Sequence, residues 1–378
     1  MRSRLSALTC ILHIPIFFML VGLAESAGSA LIPYPYAYAA AAVVLLLVPA
    51  PAVIERAMDD RRRSWWSARL LSPTYFAHFC SALGMFFPAL IFGLGRFIWD
   101  AAHGRWEIPT RTLVGCYLAA LALSLWGVFI RRHWLLTHET RVPIESLPSA
   151  FDGYRIAHLS DLHIGSLTSQ ATIDAWVERT NAAAPDLVVL TGDYVTNGTV
   201  FHEDIARALG RLKARDGVYA SMGNHDYFGE GEPLLGLLDA VGVSVLRNRG
   251  VLVERDTHSM YIAGVDDTWT KRDDLALALR DRPDGTTTVL LAHDPSTFVE
   301  ASRAGVDLTL SGHTHGGQVA VPFLARALSL SHLAHRFHLG IYREGRSTLY
   351  VHPGLGTTGI PIRLGVAPAI AIHRLVAA

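Results

Sequence analysis

Cysteine is nearly absent from this sequence, and the three that occur, Cys10, Cys80 and Cys116, all lie in apolar stretches of its first part. A disulfide framework is therefore excluded from the remainder. That remainder also lacks an excess of base: residues 141–378 hold 21 Lys or Arg against 26 Asp or Glu, a net of −5. The basic footprint that phosphate neutralisation requires is missing, so no nucleic-acid partner is expected. Residues 1–140 have the reverse balance, twelve Arg against seven acids, and the overall zero charge conceals two different regions.

What the first region has is long apolar runs. Residues 5–24, 36–54, 75–99 and 112–130 are each long enough, as helices, to cross a hydrocarbon core about 30 Å thick. They contain no Asp, Glu or Lys, only isolated His13 and His78 with Arg96 near an end, which leaves few parts for an ion pathway and points to anchoring. The first run also has the layout of a cleavable signal peptide, with Arg2 and Arg4 before it and small residues after Ala24, but its length favours a retained helix. Tyr34, Tyr36, Trp65 and Trp66 read as interfacial aromatics. Arg2, Arg4, Arg56, Arg61, Arg62, Arg63, Arg69, Arg131 and Arg132 fall on one set of loops and only Arg105 and Arg111 on the other. The positive-inside rule then predicts a multi-pass protein of the inner membrane with both termini and the C-terminal domain cytoplasmic. The expected organisation is a transmembrane region over residues 1–136, a polar link over 137–150 and a folded domain over 151–378.

In that domain helices are expected over 168–182, 203–215, 233–240 and 273–280, with strands over 243–246, 251–253 and 260–264. Helices alternate with strands early and strands cluster later, which suggests a layered α/β sandwich. Five further strand-like runs carry the chemistry. The apolar run 306–310 ends in Ser311-Gly312-His313-Thr314-His315-Gly316-Gly317, where residues two apart leave an extended chain on one side and point two imidazoles the same way. The other four end in Asp161-Leu162-His163, Gly192-Asp193, Gly223-Asn224-His225-Asp226 and His293-Asp294. An apolar strand that delivers a polar residue just past its carboxyl end places it in the crevice where α/β proteins bind ligands. Carboxylate, imidazole and carboxamide together suit borderline transition metals rather than Mg or Ca alone.

This ordered set resembles the calcineurin-like metallophosphoesterases, in particular their membrane-anchored bacterial branch, over about residues 150–378. The resemblance implies a four-layer α-β-β-α sandwich, two mixed sheets face to face with helices outside. It also implies a pair of divalent cations (Mn, Fe, Zn or Co, with Mn favoured). One is held by Asp161, His163 and His315, the other by Asn224, His293 and His313, and Asp193 bridges them. In such a site a shared water ionises near neutral pH and attacks phosphorus in line. His225 is the implied proton donor to the leaving oxygen, oriented by Asp226 or Asp161.

Beyond Gln318, the stretch 322–333 is apolar with scattered cations and reads either as a bilayer-surface or active-site flank or as a buried helix. His332, His335 and His338 read as a solvated face. Residues 351–363 form a strand and a Gly-rich loop whose amides could hold an anion, with Arg363 paired to a phosphate or to a carboxylate of the fold. The expected function is a membrane-anchored phosphohydrolase acting on a phospholipid or lipid-linked diphosphate, since the resemblance includes enzymes that cleave the diphosphate of a UDP-linked diacylglucosamine. A phosphodiesterase of soluble nucleotides and a non-enzymatic metal-binding membrane sensor are the alternatives.

Overall fold

The computed structural model describes residues 9–28, 31–47, 70–104, 109–321, 324–329 and 331–378. They fall into two compact units that divide between Ile130 and Arg131. Among the described residues, Thr9–Ala27, Ser72–His103 and Thr110–His133 are helices long and apolar enough to cross a membrane, and a shorter apolar helix covers Pro35–Leu47. The remainder of the second expected span lies outside the described residues, as do Trp65, Trp66 and Arg2, Arg4, Arg56, Arg61, Arg62, Arg63, Arg69 and Arg105 of the orientation argument. His13 and His78 are not isolated. His13 Nδ1 donates to the Thr9 carbonyl at 2.7 Å, the two Nε2 atoms meet at 3.0 Å, and His78 Nδ1 lies 3.0 Å from the Tyr117 hydroxyl. Three apolar helices thus share one hydrogen-bonded polar chain, which gives buried polar groups partners within the unit.

The second unit is built on two six-stranded sheets. Strands β1 (Leu136–Ile144), β2 (Arg155–Leu159), β3 (Leu187–Thr191), β4 (Val218–Ser221), β5 (Val243–Val245) and β12 (Ala369–Ala377) form the first, in the order β1-β12-β2-β3-β4-β5. Strands β6 (Arg249–Arg255), β7 (His258–Gly264), β8 (Thr288–Leu291), β9 (Leu308–Ser311), β10 (Gly340–Glu344) and β11 (Ser347–Val351) form the second, in the order β10-β11-β9-β8-β7-β6. The central pairs β2-β3-β4 and β7-β8-β9 are parallel, so their carboxyl ends emerge together.

Alternation along each strand builds the layers. Ile156, Leu187 and Val189 of the first sheet meet Ile262, Val289, Leu291, Leu308 and Leu310 of the second in one apolar core between the sheets. Their neighbours Ala157, Leu159, Val188 and Leu190 face the opposite way, under Ile173, Trp176, Ile205, Leu209, Leu234 and Leu238 from helices Gln170–Ala182, His202–Leu209 and Glu232–Ala240. On the outer face of the second sheet, Ala263 and Leu290 pack with Leu275, Ala278 and Ala301 of helices Leu275–Leu279 and Phe298–Arg303. The order helix, sheet, sheet, helix is the expected sandwich. Burial on both faces explains why the central strands read as unbroken apolar runs.

Two stretches depart from the sequence reading. The expected link at 137–150 begins as strand β1, which pairs in parallel with β12 from Leu136↔Ala369 to Ile144↔Ala377. An edge strand with one open face carries Thr, His, Glu and Arg and gives no apolar run. The expected helix 203–215 ends at Leu209 instead, where Gly210 packs so closely on Val241 that a Cβ there would collide with it.

Candidate metal centre

Each of the five parallel-strand tips delivers its polar residues to one crevice. Asp161 and His163 follow β2, Asp193 follows β3, Asn224 and His225 follow β4, His293 follows β8, and His313 and His315 follow β9. The backbone must turn sharply there. Asp161, His163, Asp193, His313 and His315 all adopt left-handed φ, between 43° and 71°, a conformation that costs about 1–3 kcal/mol per non-glycine residue and collects at functional sites. Gly312 makes the close approach possible, since a Cβ there would overlap the Asp161 carboxylate and the Ser160 hydroxyl.

The donor atoms form two groups around one carboxylate. Asp193 Oδ2 lies 3.4 Å from His163 Nε2 and 3.3 Å from His293 Nε2. On one side His163 Nε2 is 2.9 Å from His315 Nε2, which is 3.3 Å from Asp161 Oδ1. On the other, His313 Nδ1 is 3.2 Å from both His293 Nε2 and Asn224 Oδ1. Asp161, His163 and His315 form one cluster able to hold a metal ion, Asp193, His293 and His313 a second, and His163, Asp193 and His225 a third. The structure therefore brings together all seven residues singled out in the sequence.

Electrostatics favour lone pairs over protons on most of these rings. Burial pushes His163 down to about 3, holds His315 well below its usual range, and with His293 beside it lowers His313 to about 4. Burial also raises Asp161 to about 6. Although burial opposes its charge, Asp193 is held well below the usual carboxylate range by His293 and His163, and His293 is correspondingly raised to about 10. Buried Nδ1 atoms of His163 and His315 have no hydrogen-bond partner. Imidazole nitrogens and carboxylate oxygens converging within 2.9–3.4 Å form a donor set suited to divalent cations of the N- and O-loving kind.

The surrounding groups fix this arrangement. His293 Nδ1 donates to the Thr191 carbonyl at 2.6 Å, which leaves Nε2 to face Asp193. His313 donates its main-chain N–H to Asp161 Oδ1 at 2.9 Å, and His225 donates its own to Asp193 Oδ1 at 2.9 Å. The His225 ring stands edge-on to His163, 4.6 Å between centroids. Its orienting partner is neither Asp226 nor Asp161. His225 Nδ1 donates to the Thr196 carbonyl at 2.7 Å, because Asp226 is occupied elsewhere. The Asp226 carboxylate accepts from the main-chain N–H groups of Asp193 (2.9 Å), Tyr194 (2.7 Å) and Gly223 (2.9 Å), so it ties the β3 and β4 loops together.

Two amides of the Gly-rich loop are committed within the fold. The Leu355 and Gly356 amides donate to the Ser160 and Asp161 carbonyls at 3.0 and 2.7 Å, so they brace the Asp161 turn rather than offering an anion site. Arg363 is wholly buried, and among the described residues its hydrogen-bond partners are main-chain carbonyls rather than a carboxylate. It donates to the Pro353 carbonyl at 2.9 Å and the Gly356 carbonyl at 2.5 Å, and burial brings it down to about 9. Of the stretch 322–333, Pro322, Phe323 and Leu330 lie outside the described residues. The others form turns and a short helix at Ser331–Leu333, not a buried helix, and Leu324, Leu328 and Leu333 are exposed. His338 is buried, and His335 stands edge-on to His313 with centroids 5.7 Å apart. Trp269 and Phe228, which no motif flagged, lie against His313 and His225 respectively.

A model of the calcineurin-like phosphoesterase family matches residues 154–317, a window that contains all seven converging residues. The metallophosphoesterase YkuE of Bacillus subtilis is 31% identical over 267 residues, 68% of this chain and 93% of that protein. A metallophosphoesterase of Helicobacter pylori is 32% identical over 284 residues, 73% of this chain and 74% of its own. A zebrafish (Danio rerio) protein named as a transmembrane protein with a metallophosphoesterase domain is 33% identical over 240 residues, 60% of this chain and 54% of that one.

Proposed function

The chain belongs to the calcineurin-like phosphoesterase family and is a metal-dependent phosphoester hydrolase, and from that premise we propose a membrane-anchored enzyme acting on a phospholipid or lipid-linked diphosphate. The observation that carries its metal-dependent chemistry is Asp193 Oδ2, set 3.4 and 3.3 Å from imidazoles of two separate donor groups, and the apolar helices carry its anchoring. The family binds a dinuclear divalent metal site. Asp161, His163 and His315 would hold one ion and Asn224, His293 and His313 the other, with Asp193 shared. Manganese is favoured, with Fe, Zn and Co as the competitors. Bound there, the two ions supply Lewis acidity at phosphorus and ionise water near neutral pH.

The chain's own residues do the rest. Thr191 and the His313 and His225 amides hold the ligands in place before substrate arrives, so no reorganisation is needed at the reacting centre. His225, its Nδ1 tied to Thr196, presents Nε2 for the proton that the leaving oxygen takes. The domain over 151–378 carries this chemistry, with β1 added to it, and the apolar helices before it hold it at the cytoplasmic face of the inner membrane. A lipid phosphoester is the substrate such anchoring favours. Phosphate release by purified, manganese-loaded protein, screened on UDP-diacylglucosamine, phospholipids, cyclic nucleotides and bis-p-nitrophenyl phosphate, tests it. Turnover confined to the soluble nucleotides would replace the lipid reading with a nucleotide phosphodiesterase, and a metal-loaded protein inert on every ester would make it a sensor. A cysteine-accessibility experiment that finds residue 250 outside the membrane would overturn the orientation.

A further inference from the structure

We propose that Trp269 is a specificity residue whose indole receives the alkyl or acyl chain of the phosphoester beside the scissile phosphate; this rests on the phosphohydrolase reading above and names the part of the substrate that the site selects. Trp269 is 62% exposed, yet its ring lies tilted on His313, 5.6 Å between centroids. An exposed tryptophan touching a residue of the metal centre is a large apolar surface within reach of whatever is attached to phosphorus there. Indole combines contact area with only two side-chain torsions to freeze, which makes it an efficient anchor for an apolar ligand.

Its exposure is not slack in a loose loop. The buried Asp267 carboxylate accepts from the main-chain N–H groups of Trp269 at 3.3 Å and Thr270 at 2.8 Å. The equally buried Asp266 accepts from the Tyr227 hydroxyl at 2.6 Å and Arg247 Nε at 2.7 Å, while its own N–H donates to Asn248 Oδ1 at 2.9 Å. Two desolvated carboxylates, each satisfied by hydrogen bonds, fix the backbone that holds an indole in water. Holding a binding group in place before the ligand arrives lowers the entropy lost on binding.

Apolar as well as hydrogen-bonding groups border the centre. Phe228, 43% exposed, covers His225 at 4.6 Å, so an apolar ring also borders the leaving-group side. His335 meets His313 edge-on, and two residues before it Leu333 is 85% exposed. Reading a nucleobase takes donors and acceptors for its edge. Here Asp266 and Asp267 are spent on the loop, and Arg272 lies over the Tyr227 ring. A chain with no polar edge fits this rim better.

The test uses the full chain, manganese-loaded in nanodiscs, with methyl, hexyl and phenyl p-nitrophenyl phosphate as substrates. The wild type should show a lower KM for the hexyl ester than for the methyl ester. Trp269→Ala should raise the hexyl KM by about ten-fold, the scale of a lost apolar contact, with kcat, the methyl KM and the metal content unchanged. Trp269→Phe should restore most of the loss. Equal losses on all three esters would mean that Trp269 acts only through His313, and no loss would mean that it does not meet the substrate. Dependence confined to the phenyl ester would transfer the platform to a planar group; each of these results overturns the proposal. Calorimetric binding of hexylphosphonate against methylphosphonate makes the same comparison without turnover. A wild type inert on all three esters but preferring hexylphosphonate in a Trp269-dependent way would sink the hydrolase reading and keep this one.

Discussion

His225 Nδ1 donates to the Thr196 carbonyl at 2.7 Å, and that single bond decides which ring nitrogen is left for chemistry. A carbonyl only accepts, so the Nδ1 proton is committed, and Nε2 is the nitrogen left to face the crevice beside His163, where the proposed proton transfer would use it. Replacing His225 with Ala should leave two metal ions in place and lower kcat by about 10²–10⁴-fold, the usual range for a lost proton donor. The loss should shrink for p-nitrophenyl esters, whose leaving group needs no proton, and be full for alkyl esters. A uniform loss on both, measured with metal content in parallel, would remove the acid role.

Asp193 differs in kind from His225, because its Oδ2 lies between the two donor groups. Asp193→Ala should lose metal and activity together, leaving fewer than two ions per chain by elemental analysis. Chelation of the wild type followed by washing should give the same inactivity and be reversed by manganese, whereas the variant should stay inactive on adding it. Full metal content in an inactive Asp193→Ala protein would separate the two roles that the geometry joins.

The parts of this site that were legible in the sequence share one property. Asp161, Asp193, Asn224, His293 and His313 each follow a strand buried on both faces, and such strands announce themselves as apolar runs. What the sequence did not disclose are relationships across the fold. Asp226 stands next to His225 in the chain, and adjacency suggested that the two carry one function, but its carboxylate points to the amides of Asp193, Tyr194 and Gly223. Arg363 beside a Gly-rich loop has the look of an anion site, and only the folded chain shows it enclosed. Trp269 sits in a polar loop and His335 in a histidine series that reads as a solvated face, so nothing local marks them as neighbours of His313. Strand β1 was hidden because an edge strand keeps one polar face.

Asp226 gives a prediction that separates position from charge. Asp226→Asn keeps the volume and one acceptor oxygen, yet places an amide nitrogen opposite main-chain donors that the second oxygen now serves. Facing a buried donor with a donor costs about 1–3 kcal/mol. The variant should unfold at lower denaturant by that amount and bind metal more weakly, since the Asp193 loop is no longer pinned to Gly223. With metal saturated, kcat should return close to the wild-type value. A kcat still reduced at saturating metal would give Asp226 a direct part in the reaction.

Arg363 is the strongest case of a charged residue acting through structure. Its guanidinium satisfies the Pro353 and Gly356 carbonyls, and Gly356 in turn donates to the Asp161 carbonyl at 2.7 Å. A Cβ on Gly356 would overlap the Leu162 carbonyl, so the loop is packed directly against the turn that carries Asp161 and His163. Arg363→Ala would strand two buried acceptors and open a cavity of arginine size, a destabilisation of about 3 kcal/mol or more. If Arg363 served the substrate instead, truncation would raise KM and spare stability. The expected result is the opposite: a lower denaturant midpoint, weaker metal binding through the loosened Asp161 turn, and an unchanged KM in whatever fraction remains folded and metal-loaded. Arg363→Lys should recover little, because one ammonium cannot reach both carbonyls in the plane that the guanidinium spans.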